Sequence, residues 1–174
     1  MSPMTLETFI QTTIIDEIKI MVGTPRLQYL SFIVMSSAIE FLGACLDTKD
    51  FHIDHRSRMR FELAIKSLGA FSRYSSFISG GGSGYDLFAE LRCGMVHAAL
   101  PKSKVELIQR AEINSGIKHL QEANLQRTTN PKRLILVCED LCNDIHAASI
   151  EVIGELKTGK YLHKATDPFL ATDI

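Results

Sequence analysis

Apolar residues recur every three to four positions along most of the chain, which predicts helices; between residues 104 and 137 the spacing shortens towards two. The first helix is expected over about Thr5 to Val22. Leu6, Phe9, Ile10, Thr13, Ile14, Ile18 and Met21 form its apolar stripe, and Gly23 and Pro25 end it. The second, Leu27 to Leu46, is apolar nearly all round, so it belongs at the centre of a bundle. Its small residues Ser36, Ser37, Ala38, Gly43 and Ala44 permit close approach of neighbours. A third helix, His55 to about Leu68, is expected to start at an Asp54 N-cap and to bury Phe61, Ala64, Ile65 and Leu68. A short helical piece follows over Phe71 to Ile78. A fourth helix, Tyr85 to about Ala99, buries Leu87, Phe88, Leu91, Met95 and Ala98 and stops before Pro101. The last, Glu139 to Leu156, has Leu141, Ile145, Ala148, Val152 and Leu156 on its core face.

Between the last two helices, Val105, Leu107, Ala111 and Ile113 alternate with charged residues and read as a strand. Further strands are expected within Ile117 to Leu125 and Leu134 to Val137. The predicted architecture is mainly α: a bundle of about five helices with a small antiparallel β meander (residues 101–137) inserted before the last helix. Residues 1–158 form one domain and residues 159–174 a tail. The run Gly80-Gly81-Gly82-Ser83-Gly84 reads as a flexible connector. A phosphate loop would continue with Lys-Ser or Lys-Thr, whereas Tyr85-Asp86 follows.

Composition changes this picture little. Nineteen basic residues against twenty acidic ones give a formal charge of −1, so nucleic-acid contact would need a local basic patch. The densest is FHIDHRSRMR, where Arg56, Arg58 and Arg60 are the candidate RNA-backbone contacts; the alternative is a solvated helix face balanced by Asp50 and Asp54. The chain starts without a basic segment, apolar run and cleavage site, so a cytoplasmic setting is expected. Leu27 to Leu46 is read as a core helix and not as a membrane span. Cys138, Cys142 and His146 lie four apart on one helix face, and His52, Asp54 and His55 cluster, but neither set has a fourth ligand at a recognisable spacing. No metal and no cofactor are expected.

The fourth helix carries the most specific chemistry. Its segment YDLFAELRCGMVHAALPKSK holds Arg92 and, four intervening residues later, His97. Histidine titrates near pH ~6.5 and can move protons at neutral pH. Arginine keeps its charge and grips phosphate oxygens with a planar fork. Glu40, a carboxylate within the most apolar helix, needs a partner of the Arg92 or His97 type.

This Arg-x4-His pattern, late in a helical bundle, resembles the signature of the HEPN family, and the string LRCGMVHA resembles a bacterial branch of it. The resemblance covers the main helices and not the β insertion. It implies a metal-independent endoribonuclease of a bacterial defence or stress system, with His97 as general acid–base, Arg92 as phosphate-holding cation and Glu40 as a supporting residue. It also implies a homodimer meeting near this helix, and RNA rather than DNA as substrate. The chain departs from the pattern at Cys93, where many members carry a polar residue, and at Ala99, where one toxin type carries tyrosine. A non-catalytic HEPN-like module binding RNA, a nucleotide or a protein partner is the first alternative; an unrelated helical bundle is the second. Positions five apart on a helix are separated by about 140°. Arg92 and His97 can therefore cooperate only if the helix is distorted near Gly94 or if two copies meet there.

Overall fold

A computed structural model describes residues 4–112, 116–124 and 132–161. Five main helices surround one core, and a small sheet lies before the last of them. Helix α1 spans residues 6–23 in three parts: Leu6–Phe9 is α-helical, Ile10–Glu17 opens into π turns, and Ile18–Gly23 is α-helical again. Leu6, Ile10, Ile14, Ile18 and Val22 are all buried, a repeat of four. On a regular α-helix such a repeat would drift by about 40° per step. The wider π turns take back part of that drift and keep the stripe against the core.

Helix α2 (Gln28–Leu46) is the central element, with eleven buried residues on several sides. By length and composition it could cross a membrane; here it packs against α1, against α3 (Ser57–Ser67) and against α5 (Cys138–Lys157). Gly43 lets it approach α3 so closely that a Cβ there would lie 1.7 Å from the Arg60 carbonyl oxygen. Helix α3 starts two residues later than the sequence suggested. Arg56 occupies the N-cap without a side-chain bond to the helix amides, so Asp54 is not the cap, and His55 ahead of it takes a positive φ of 61°. A 3₁₀ segment, Gly69–Phe77, follows; Glu151 of α5 accepts the amides of Gly69 (2.8 Å) and Ala70 (2.7 Å) and secures its start.

The glycine run, expected as a connector, folds into a hydrogen-bonded turn. The amide of Gly81 donates to the Ile78 carbonyl at 2.9 Å and the Ser83 hydroxyl to the Ser76 carbonyl at 2.5 Å. Helix α4 (residues 88–98) begins with a π turn over Phe88–Arg92 and continues as an α-helix over Cys93–Ala98. Asp86, just ahead of it, accepts the Ala89 amide at 3.1 Å.

The antiparallel meander is replaced by a mixed sheet. Strand β1 (Val105–Ile108) pairs in parallel with β3 (Arg133–Val137), and β2 (Glu122–Ala123) pairs antiparallel on the other side, giving the order β1-β3-β2. Leu134, Ile135, Leu136 and Val137 are all fully buried, and a strand apolar on both faces belongs at the centre of a sheet, not at its edge. After Ile108 the chain turns through a 3₁₀ segment at Arg110–Glu112 instead of extending through Ala111; Ile113 and Leu125 lie outside the described residues.

A buried polar chain fastens this sheet to the helices. The Val137 amide donates to His119 Nδ1 at 2.9 Å, so His119 carries its proton on Nε2 and donates to the Tyr74 hydroxyl at 2.8 Å. Tyr74 donates in turn to Asp144, which also receives Arg73. Burial above all, with the Arg73 charge adding to it, pushes His119 down from 6.5 to about 4. Protonation would turn Nδ1 into a donor facing the Val137 amide. A histidine depressed in the folded state contributes stability that is complete above pH 6.5 and is lost as pH falls through 4. We expect wild-type stability to drop by about 2–3 kcal/mol across that window, read by urea denaturation at stepped pH. His119→Gln should flatten this step; an equal drop in that variant would assign it to other groups.

Candidate functional site

A cleft of about 210 Å³ opens between α2, α3 and α4. Ser37, Glu40, Phe41 and Ala44 of α2 form one wall, and Phe51, Arg60 and Arg92 close it. Phe41 stacks on Phe51 with ring centroids 5.5 Å apart and planes within 5°. Glu40, the lone carboxylate of the most apolar helix, accepts Arg92 Nε at 2.6 Å. Both side chains are largely buried, so the pair lies in a low-dielectric setting where attraction between its charges is strong. The Phe88 ring lies 5.8 Å from the Arg92 guanidinium and 4.6 Å from that of Arg58. Among the described residues the Nε bond is the one hydrogen bond the Arg92 side chain makes. Its two terminal nitrogens make no hydrogen bond among the described residues.

His97 stands apart from this pair. It is exposed in the last turn of α4, makes no hydrogen bond or ion pair among the described residues, and does not line the cleft. The helix is distorted over Phe88–Arg92, where the Cys93 amide bonds the Phe88 carbonyl, so the distortion ends just ahead of Gly94. From Cys93 onward the helix is regular, so Arg92 and His97 keep their separation of about 140°. Gly94 serves another purpose: a Cβ there would meet the Leu100 carbonyl oxygen at 2.5 Å as the chain folds back. Ala99 ends the helix in the left-handed region (φ 52°), and its carbonyl accepts the Tyr29 hydroxyl at 2.8 Å. One chain therefore does not bring the two motif residues together.

The three arginines of the basic run do not form one open face. Arg60 is 6% exposed, donates to Asp47, to the Phe51 carbonyl (2.7 Å) and to the Asp50 carbonyl (2.5 Å), and is committed to holding the 47–51 loop. It therefore lies in the wall of the cleft and not on an open basic face. Arg56 grips both oxygens of Asp47 at 2.8 and 2.9 Å. Arg58 pairs with Asp86 at 2.8 Å and lies over Phe88. The balancing carboxylates are thus Asp47 and Asp86, not Asp50 and Asp54. Asp47 and the Phe41–Phe51 stack escaped the sequence reading, since an aspartate at a helix end carries no signal of which arginines will reach it.

Among the described residues no group of three histidine, cysteine or acidic side chains could hold a metal ion. Cys138 is buried with its sulfur 3.3 Å from the Ser31 hydroxyl, while Cys142 and His146 line a separate small cavity with Lys19. Comparison with family models, with curated proteins and with solved structures finds no match to the chain.

Proposed function

We propose that this chain is a HEPN-like helical module that binds RNA through the Arg92 cleft and, as a homodimer in the bacterial cytoplasm, cleaves it with His97. One observation carries the reading: Glu40 takes Arg92 by its Nε edge and leaves the terminal nitrogens for a phosphate. A guanidinium oriented in this way grips two phosphate oxygens at once. His97, exposed and uncommitted, is free to move a proton from a ribose 2′-hydroxyl that attacks the adjacent phosphate. Because 140° of helix separates the two groups, the histidine would come to the cleft from a second copy. DNA lacks the attacking hydroxyl and would not be cleaved.

The same separation favours a second reading, a non-catalytic module that binds RNA, a nucleotide or a protein partner. Among the described residues no third side chain orients His97, and Cys93 stands where many members of the HEPN family are polar. The two readings part on RNA cleavage by purified protein. His97 is exposed and unbonded, so His97→Ala leaves the fold intact and reports on chemistry alone. On the catalytic reading it lowers cleavage at least about tenfold, light scattering reports a dimer, and Arg92→Ala weakens RNA binding. Cleavage indifferent to His97→Ala removes the catalytic assignment; RNA binding indifferent to Arg92→Ala as well removes the module reading too.

A further inference from the structure

The ordered glycine turn borders a second cleft that the Arg92 reading does not use. Its volume is about 390 Å³, within the range of small-ligand sites. Ser83, Gly84 and Tyr85 form one side; Ser103 and Lys104, just before β1, and Lys132, just before β3, form another; Glu122 of β2 completes it. The parallel pairing of β1 with β3 is what brings Lys104 and Lys132 to the same end of the sheet.

The backbone of the turn suits an anion. Gly80, Gly82 and Gly84 take positive φ of 79°, 86° and 77°, alternating with Gly81 and Ser83, which do not. Alternating handedness turns successive amides towards one side, the geometry of an anion-binding nest. The amides of Gly82 and Gly84 make no hydrogen bond among the described residues, and the space where their Cβ atoms would be is open. Gly81 is needed for packing, since its Cβ would lie 2.5 Å from the Ser75 carbonyl oxygen.

The side chains add charge and hydroxyls. Lys104 Nζ donates to the Gly84 carbonyl at 3.0 Å and braces the turn, with two N–H groups to spare. Lys132 and Ser103 have no side-chain partner among the described residues. Two ammonium groups against one carboxylate leave the cleft net positive. Glu122 stands beside the Tyr85 phenol, which burial first and this carboxylate second push upward. A carboxylate at the edge of a cationic cleft is poorly matched to an oxyanion alone, but it is the group that accepts sugar hydroxyls in nucleotide sites.

We propose that this cleft binds a ribose phosphate: the phosphate on Lys132, Ser103 and the Gly84 amide, the sugar hydroxyls on Glu122. The unit could belong to a free metabolite or to an RNA strand, and the chemistry recognised is the same. Titration calorimetry with ribose 5-phosphate, inorganic phosphate and a short single-stranded RNA tests it. Ribose 5-phosphate should bind saturably. Lys132→Gln should weaken it about tenfold with an unchanged melting temperature, and Glu122→Gln should erase its advantage over inorganic phosphate. Arg92→Ala should leave it unaltered, which keeps this result separate from the Arg92 reading. Competition between the RNA and ribose 5-phosphate, lost in Lys132→Gln, would name RNA as the source; sugar-phosphate binding without competition would name a metabolite. No saturable binding at millimolar ribose 5-phosphate, or equal affinity in wild type and Lys132→Gln, overturns the proposal.

Discussion

Replacing Asp47 by alanine is expected to destabilise the fold by about 3–5 kcal/mol, the cost of breaking a buried ion pair from one side. Asp47 is 3% exposed at the end of α2. It takes two hydrogen bonds from Arg56, one from Arg60 Nε at 3.0 Å and one from the Lys49 amide at 3.2 Å. Burial alone would push its carboxyl up. The hydrogen bonds from Arg56, Arg60 and the Lys49 amide outweigh that and hold it well below the usual carboxylate range. A depressed carboxylate contributes stability that is complete above its ordinary pKa of 3.8 and is lost only as pH falls through the lower folded value. The loss should therefore be present in full at neutral pH. Alanine would leave the Arg60 guanidinium buried without its counter-charge. Arg60 also holds the carbonyls of Asp50 and Phe51, so the wall of the cleft should loosen with it. Urea denaturation midpoints measure the loss; a change under about 1 kcal/mol would mean that the pair is no better than an exposed one. Asp47→Asn, which keeps the shape and some hydrogen bonds, should fall between.

Gly43→Ala should cost about 3 kcal/mol, against the sign that helix propensity alone predicts. In a helix interior alanine is favoured over glycine by about 1 kcal/mol. Gly43, however, is buried where α2 crosses α3, and its new Cβ would lie 1.7 Å from the Arg60 carbonyl oxygen and 2.5 Å from its carbon. Those atoms are backbone and cannot rotate aside, so the helices must part, and overpacking of this kind costs roughly 1–3 kcal/mol or more. Gly154 supplies the control. It lies exposed in α5 with nothing within 4 Å of its Cβ position, so Gly154→Ala should stabilise by up to about 1 kcal/mol. Thermal melts of the two variants should move in opposite directions. A stabilised Gly43→Ala would show that the two helices are not in contact at this point.

Particular elements explain how far the chain could be read in advance. Helix α2 was legible as the centre of the molecule because no face of it is polar enough for water. Glu40 stood out for the same reason, as a lone carboxylate needing a cation, and Arg92 is that cation. The antiparallel meander failed because alternation reports which residues are half-buried but not which strand lies beside which. The burial of both faces of β3 was the available clue, in the unbroken run Leu134 to Val137. Arg60 was misread because a charged residue four positions from Arg56 looks like a surface partner until a buried carboxylate draws both inward.

The sequence by itself determined the order of the main helices, most of their core positions and the position of Arg92 in a helix, since these depend on periods of a few residues that any local stretch displays; Ala98, expected on the core face of α4, is exposed instead, because the helix ends at Ala99 clear of the core. The tertiary structure decided the rest: that Arg92 joins Glu40 while His97 faces away, that Arg56 and Arg60 converge on Asp47, and that the glycine turn meets Lys104 and Lys132. Each of these is a juxtaposition of groups on separate elements, set by how closely helices pack and which strands pair. Ion pairs and clefts form where the backbone brings charges within a few ångströms, and no spacing along the chain encodes that distance.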